Sequence, residues 1–317
     1  MTRSSESLAM ALLTNRIVDV GVKPLTARDF WKTFTDMTAL DGILEMDVDQ
    51  IASHLIVTPE LAHRIRELLD ASRALSFETE RLEETGVRLL TPMDEGFPHR
   101  LREKLGEQCP VSLLVAGPVE WLSEANVGIV GSRGVSEATS DAAGEIARSA
   151  VRGGFGVVSG LAKGIDQIAM HAAIEVGGRV CGAPTEGIRA VSRRPDVRAA
   201  VHEEALVLIS PFGPDAPFSV GGAMGRNKLV YALSDLTVVV TSDEGSGGTW
   251  AGATEALEKG YGRVTVWEGP DVGPGNAALI KKGAGSVCDL ADEAWLEDEP
   301  ETAPAPAPEV VEVQKLF

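Results

Sequence analysis

Apolar residues from position 127 onward form short runs that alternate with longer segments of mixed polarity. The clearest run, Leu-Thr-Val-Val-Val at 236–240, is the kind found in a strand buried on both faces of a sheet. Strands that alternate with helices pair in parallel through right-handed crossovers. The pattern therefore predicts an α/β fold with a doubly wound, mostly parallel, Rossmann-like sheet. The predicted strands cover 127–130, 156–159, 179–183, 205–210, 236–241 and 263–266, and the main helices cover 137–151, 165–176, 225–233 and 250–259.

The first 86 residues lack this alternation and carry apolar residues at helical spacing instead. Thr58 and Pro59 suit the N-cap and the first position of a helix, and Gly86 suits the end of the segment. Residues 1–86 are therefore predicted to form a small helical domain of the SAM or helix-hairpin-helix kind. Many domains of this kind bind DNA. Because this one has no GxG hairpin and no basic cluster, it could equally serve only as a scaffold or a dimerisation unit.

Two further segments flank the predicted core at 127–290. Residues 87–126 contain two short strand patterns, at 87–90 and 111–115, and are predicted to be a connector that packs on the core. Residues 291–317 are acidic and then rich in Ala-Pro pairs, a composition typical of a disordered, semi-stiff linker.

The formal net charge of −18 is unfavourable for a general nucleic-acid binder. The charge is unevenly distributed, however. Residues 127–235 contain eleven basic and eleven acidic side chains, whereas residues 291–317 contain eight acidic residues and one lysine. The core is therefore neutral, and any basic site on it must be local.

The three cysteines, Cys109, Cys181 and Cys288, lie far apart and show no spacing typical of a metal site. We expect reduced thiols in a cytoplasmic protein. The sequence shows no secretory signal pattern and no run of about 20 apolar residues. It predicts no association with a membrane, no bound metal and no cofactor.

Four glycine-rich loops are predicted between strands and helices, at the edge where doubly wound sheets bind ligands. Glycine lets backbone N–H groups approach an anion, and the following helix adds the positive end of its dipole. The loops cover 131–134, 159–166, 221–228 and 243–250. The candidate phosphate-binding residues are Gly131, Ser132, Arg133, Ser159, Gly160, Lys163, Gly164, Arg226, Asn227, Lys228, Ser246, Gly247, Gly248 and Thr249.

Two acidic residues near these loops leave alternatives open. Asp166 follows the second loop, where it could act as the N-cap of a helix. Glu255 follows the fourth loop, where it could be a solvated helical residue or a carboxylate that faces the pocket. The chain contains no GxxxxGK[ST] sequence and no GxGxxG after the first core strand. These absences argue against P-loop NTPase chemistry and against a dinucleotide-dependent dehydrogenase.

The loops, in this order, resemble the DprA/Smf family of DNA-processing proteins, whose Rossmann-like core is related to the lysine-decarboxylase-like (SLOG) superfamily. The resemblance covers about residues 40–290. The matching segments are Val-Gly-Ile-Val-Gly-Ser-Arg at 127–133, Val-Val-Ser-Gly-Leu-Ala-Lys-Gly-Ile-Asp at 157–166, Gly-Arg-Asn-Lys at 225–228 with Leu-Ser at 233–234, Gly-Asn at 275–276 with Leu-Ile at 279–280 and Gly-Ala at 283–284, and a lead-in at 86–101.

The resemblance implies a protein that binds and protects single-stranded DNA without sequence preference and loads the RecA recombinase onto it, typically as a homodimer. The implied settings are DNA uptake in natural transformation, recombination and anti-phage defence. Transferred by motif, the residues that would contact DNA phosphates are Arg133, Lys163, Arg226 and Lys228, and those that would shape the pocket are Ser132, Gly160 and Gly164.

The fourth loop departs from the family pattern. Its Gly-Ser-Gly-Gly-Thr-Trp is more similar to the Gly-Gly-x-Gly-Thr loop of the lysine-decarboxylase-like nucleotide hydrolases. The alternative function is therefore a nucleotide-binding sensor, or an enzyme that cleaves nucleoside monophosphates with Glu255 acting at the ribosyl centre. A third possibility concerns Gln-Lys-Leu-Phe at 314–317, which loosely resembles peptides that dock on the bacterial sliding clamp.

Overall fold

A computed structural model describes residues 3–14, 16–291 and 293–297. The first part of the chain is helical. Thr58 accepts a hydrogen bond from the backbone N–H of Leu61 at 3.4 Å, and Pro59 takes the first helical position. The helices are α1 (Ser5–Thr14), α2 (Ala27–Thr33), α3 (Val48–Leu55), α4 (Pro59–Leu69) and α5 (Ser72–Glu83), with 3₁₀ turns at Met37–Leu40 and Ile43–Glu45.

The described strands form one nine-stranded sheet in the order β1-β2-β6-β5-β4-β3-β7-β8-β9. All neighbours from β6 to β9 pair in parallel, which confirms the predicted α/β class and the mostly parallel sheet. The strands are β1 (Val87–Leu90), β2 (Leu113–Ala116), β3 (Asn126–Val130), β4 (Gly156–Ser159), β5 (Val180–Gly182), β6 (Leu206–Ser210), β7 (Leu236–Val239), β8 (Arg263–Trp267) and β9 (Gly285–Val287).

Strands β1 and β2 come from the segment predicted as a connector, and both belong to the sheet. They pair antiparallel with each other, and β2 pairs antiparallel with β6, where Leu114 lies opposite Ser210. Every residue of β2 is buried. The segment 87–126 therefore extends the sheet as well as covering it.

The remaining helices lie on both faces of the sheet. Each longer helix buries an apolar stripe against the strands, as in α7, where Ala143, Ile146, Ala147 and Ala150 are fully buried. These helices are α6 (Arg100–Leu105), α7 (Glu137–Arg152), α8 (Ile165–Glu175), α9 (Ile188–Val191), α10 (Pro195–His202), α11 (Val220–Leu233), α12 (Gly247–Lys259), α13 (Pro274–Lys281) and α14 (Ala294–Glu297), with 3₁₀ turns at Gly106–Gln108 and Val119–Ser123.

Helix α11 begins earlier than the sequence predicts. The predicted glycine loop at 221–225 is helical, because the Ser219 side chain caps the helix by accepting a hydrogen bond from the N–H of Gly222 at 3.0 Å. The prediction of a loop there is wrong. The physical reason is that the capping serine and the buried second half of the helix, residues 229–233, together offset the low helix propensity of the three glycines.

The predicted tail is described only at its start. Leu296 of α14 is buried against Gly153, and Trp295 is also buried, so the packed chain extends past the predicted boundary at residue 290. The predicted clamp-docking residues at 314–317 lie outside the described residues. No helix in the described part of the chain has the length and apolar character needed to cross a membrane.

Candidate nucleic-acid interface

The chain reverses its direction across the sheet between β3 and β7, which are adjacent although β4, β5 and β6 intervene in sequence. Such a switch point opens a crevice at the carboxyl ends of the strands. Here the first predicted loop is tied to the segment that follows β7, because the N–H of Ser132 donates to the carbonyl of Thr241 at 3.0 Å, two residues before the fourth predicted loop. The first and fourth predicted loops therefore start side by side at this switch point.

The loop after β4 packs directly beneath the loop after β3. Gly164 has a φ of +92°, and a Cβ there would lie 2.8 Å from the Ser132 carbonyl oxygen and 2.9 Å from Cα of Arg133. At Gly131, a Cβ would lie 2.5 Å from the Ile165 side chain. Glycine is needed at position 164 because the two backbones touch there, and at position 131 because the Ile165 side chain packs against it.

Arg226 and Asp166 form a buried ion pair below these loops. Nη1 of Arg226 lies 3.6 Å from Oδ2 of Asp166, and the two residues are 6% and 5% exposed. The same carboxylate oxygen accepts hydrogen bonds from the N–H groups of Gly160 at 3.2 Å and Ala162 at 3.4 Å. Asp166 is not the N-cap of α8, since Gly164 takes that position. The carboxylate holds the second loop onto α11 instead.

The electrostatics of this pair reflect its burial. Burial raises the pKa of Asp166, an effect that Arg226 opposes, and burial likewise lowers the pKa of Arg226. Arg133 lowers the pKa of Arg226 further and Glu186 raises it, so both side chains lie within electrostatic range of the pair. Nε of Arg226 is buried without a hydrogen-bond partner among the described residues.

Lys228 lies two positions beyond Arg226 and therefore on the opposite face of α11. Its Nζ lies 2.8 Å from Oε1 of Glu255 and also donates to Gln108. Tyr261 donates to the same Glu255 oxygen at 3.4 Å. Lys228 and Glu255 thus join α11 to α12, away from the buried pair, and the predicted roles of both residues remain predictions.

Asn227 connects α11 to the fourth loop by donating a hydrogen bond to the Gly248 carbonyl at 3.0 Å. Ser246, Gly247 and Gly248 are exposed, and Thr249 is partly exposed. Ser246 occupies the N-cap of α12 but makes no side-chain capping bond. The first N–H groups of this helix are therefore available to an anion.

The structure brings the predicted residues into one connected arrangement, but not all of them face solvent. Ser159 is buried, and its hydroxyl donates to the Ile129 carbonyl at 2.6 Å. Arg133 and Lys163 are exposed, and neither forms an ion pair within the described residues. They are the two predicted cations whose charge is free at the rim of the crevice.

Sequence reasoning missed the partners that hold the site together. Asp166 and Arg226 are 60 positions apart in the sequence. The one local feature that could have indicated their pairing is an acidic residue among the apolar residues at the start of α8. Gln108, which binds Lys228 and donates to Tyr261 at 3.1 Å, comes from a segment read only as a connector. The described residues contain no cluster of three or more histidine, cysteine or acidic side chains suited to a metal.

Comparison with known proteins agrees with this architecture. Residues 88–296 match the family described as DNA recombination-mediator protein A. The chain belongs to the DprA/Smf family. It is 30% identical over 256 residues to the protein Smf of Escherichia coli, covering 74% of this chain and 67% of that protein. It is 28% identical over 214 residues to the DNA processing protein DprA of Bacillus subtilis, covering 66% of this chain and 71% of that protein.

Solved structures of DprA proteins share the fold. The DNA processing protein A of Streptococcus pneumoniae superposes with a TM-score of 0.66 at 22% identity, covering 87% of this chain and 99% of that one. The single-stranded-DNA-binding DNA processing protein A of Helicobacter pylori gives a TM-score of 0.56 at 22% identity, covering 67% and 95%. The family match confirms the family predicted from the glycine-rich segments, and these structures agree with the fold predicted from the alternation of strands and helices.

Proposed function

We propose that this DprA/Smf protein binds single-stranded DNA through its phosphates at the crevice between β3 and β7. The observation that carries the proposal is that Arg133 and Lys163 are exposed and unpaired within the described residues, on two loops that pack on each other. The uncapped N-terminus of α12 adds backbone N–H groups at the same edge. The single-stranded-DNA-binding relative from Helicobacter pylori supports the choice of ligand.

The cations divide into two roles under this proposal. Arg133 and Lys163 contact phosphates directly, whereas Arg226 positions the second loop through Asp166. Lys228, also predicted to contact phosphate, is held by Glu255, so the strand would have to displace that carboxylate to reach it. Asn227 and residues 246–249 would line the path of the backbone.

Binding of this kind needs no particular base sequence, because phosphates and backbone N–H groups carry it. It is also compatible with an acidic protein, because affinity then depends on local cations. The affinity falls as the salt concentration rises, because the counterions that binding releases from the DNA then gain less entropy. The chain's overall charge therefore limits the strength of binding without removing the site.

The test is a fluorescence-anisotropy titration of single-stranded and double-stranded oligonucleotides at two salt concentrations. Arg133→Ala/Lys163→Ala should weaken binding of the single strand and flatten its dependence on salt. The matched control is Arg193→Ala/Arg198→Ala, because both are exposed arginines of the core without ion pairs in the described part of the chain. Equal affinities for the parent and the Arg133/Lys163 variant would refute the proposal.

The proposal extends to the downstream role and the assembly. We expect the bound strand to be protected and passed to a RecA-type recombinase, with the protein acting as a homodimer in DNA uptake, recombination or anti-phage defence. The measurement is RecA-dependent ATP hydrolysis on DNA covered by single-strand-binding protein. The Arg133→Ala/Lys163→Ala variant should fail to stimulate it.

A further inference from the structure

A cavity of about 470 Å³ lies between the N-terminal helices and the core. Phe212 lies two residues after the end of β6, and Ser112 directly precedes β2, which runs antiparallel to β6. Both residues therefore lie at the carboxyl ends of the parallel strands, which is also the edge that carries the glycine loops. Gly225 and Lys228 of α11 form one side of the cavity, and Ala27 of α2 lies on another.

The cavity is close to the proposed phosphate site. Only β5 and β6 separate β4 from β2 in the sheet, a span of about 14 Å at ordinary strand spacing. Helix α11 lies between the two sites, with Arg226 directed to one and Lys228 to the other. A few nucleotides of a strand held at Arg133 and Lys163 would reach the cavity.

The walls of the cavity are mostly apolar, and Lys228 and Arg28 on its lining each lie beside a carboxylate. Phe212, Leu229 and Val111 supply apolar surface, while the hydroxyl of Ser112 supplies hydrogen bonding. Lys228 is paired with Glu255 at 2.8 Å, and Arg28 lies 3.9 Å from Glu107. The cavity thus suits an uncharged ligand with a polar edge better than a phosphate, and its volume is within the range of about 300–1,000 Å³ typical of small-ligand sites.

We infer that this cavity accepts a nucleobase of the single strand bound at the neighbouring loops. The inference rests on the proposed function, which supplies the strand. A base presents flat apolar faces to the apolar walls and an edge of hydrogen-bond donors and acceptors to the Ser112 hydroxyl. Its charged sugar-phosphate backbone can remain outside the cavity. Bases held in this way are recognised mainly by stacking and tolerate any sequence.

Gly225 offers a means of closing the cavity without disturbing the fold. Its φ is not in the left-handed region, and a Cβ added there meets no atom within 4 Å. Gly225→Leu should therefore fit the helix and fill the cavity, whereas Gly225→Ala, the matched control, adds only one methyl group. Ala27→Phe adds a ring at another lining position, on α2, and provides a second block.

The experiment uses deoxyadenosine, which carries a base but no phosphate, and detects its contact with the protein by saturation-transfer NMR. We expect transfer to the adenine protons with the parent, with Gly225→Ala and with Arg133→Ala/Lys163→Ala. We expect its loss with Gly225→Leu and with Ala27→Phe. In anisotropy titrations, Gly225→Leu should weaken binding of a thymidine oligonucleotide of about 20 residues by about tenfold.

The outcomes separate this inference from the proposed function. No transfer with the parent, or transfer that persists in both blocking variants, would overturn the nucleobase site even if the oligonucleotide still binds through Arg133 and Lys163. Transfer that obeys the predicted pattern while Arg133→Ala/Lys163→Ala leaves oligonucleotide binding unchanged would instead refute the phosphate site. Circular dichroism of each variant checks that the fold is intact.

Discussion

The guanidinium of Arg226 occupies the space that a side chain at position 160 would fill. A Cβ built on Gly160 would lie 1.3 Å from Nη1 of Arg226 and 2.6 Å from Oδ2 of Asp166. The glycine of the second loop is thus required by a buried ion pair as well as by any ligand. This contact links the loop after β4 to α11.

Gly160→Ala should destabilise the protein, because the new methyl group must displace the buried Arg226 side chain. We expect a loss of about 1–3 kcal/mol in the free energy of unfolding, as for other overpacked sites. Gly134→Ala is the control, since position 134 is exposed and a Cβ there meets no atom within 4 Å. Urea denaturation measures both, and equal stabilities would contradict the contact.

Asp166→Asn should leave the Arg226 charge buried without an opposite charge, at a cost of about 3–5 kcal/mol in unfolding free energy. The double variant Asp166→Leu/Arg226→Met removes both charges, so it should lose less than the sum of the single changes Asp166→Leu and Arg226→Met. A double-mutant cycle by urea denaturation measures this coupling. Additive effects would show that the pair does not interact.

Arg133→Ala should reduce the slope of log affinity against log salt by about one for single-stranded DNA, because one phosphate contact is lost. Lys228→Ala should change the slope less, because Glu255 already neutralises that lysine. The direct comparison is a set of anisotropy titrations at several salt concentrations. A larger change for Lys228→Ala would mean that DNA displaces Glu255 and that Lys228 contacts a phosphate, as the sequence predicts.

The cysteines should differ in reactivity. Burial raises the pKa of both Cys109 and Cys181 to about 12, whereas Cys288 is exposed. At pH 8, iodoacetamide should therefore modify Cys288 in the folded protein and all three thiols in urea, as mass spectrometry would report. Modification of Cys181 at the rate of Cys288 would contradict its burial.

The same pKa shifts predict how stability changes with pH. Between about pH 8.5, the ordinary pKa of a thiol, and pH 12, the folded state keeps the protons of Cys109 and Cys181 while the unfolded state releases them. Their contribution to stability is complete below this range and is lost as the pH rises through it. Cys181→Ala should flatten the decline measured by urea denaturation at alkaline pH, relative to the parent.

Local patterns along the chain were sufficient to predict the α/β class, the family and the positions of strands such as β4 and β7. Each depends on features that neighbouring residues share: consecutive apolar positions for a buried strand, and glycines where a strand turns into a helix. These features act over a few residues and are therefore readable without a partner. The same patterns placed the glycine segments at the ends of β3 and β4, where the structure has them.

Three-dimensional packing was needed to assign a role to each charged side chain. Arg226 and Lys228 are almost adjacent and look equivalent in the sequence, yet one is buried against Asp166 and the other bound to Glu255. Side chains two residues apart on a helix point in nearly opposite directions, and the partners of Arg226 and Lys228 come from segments distant in the sequence. Charge pairing depends on distance in space, which no local pattern encodes, so the free cations at Arg133 and Lys163 emerge only once the chain is folded.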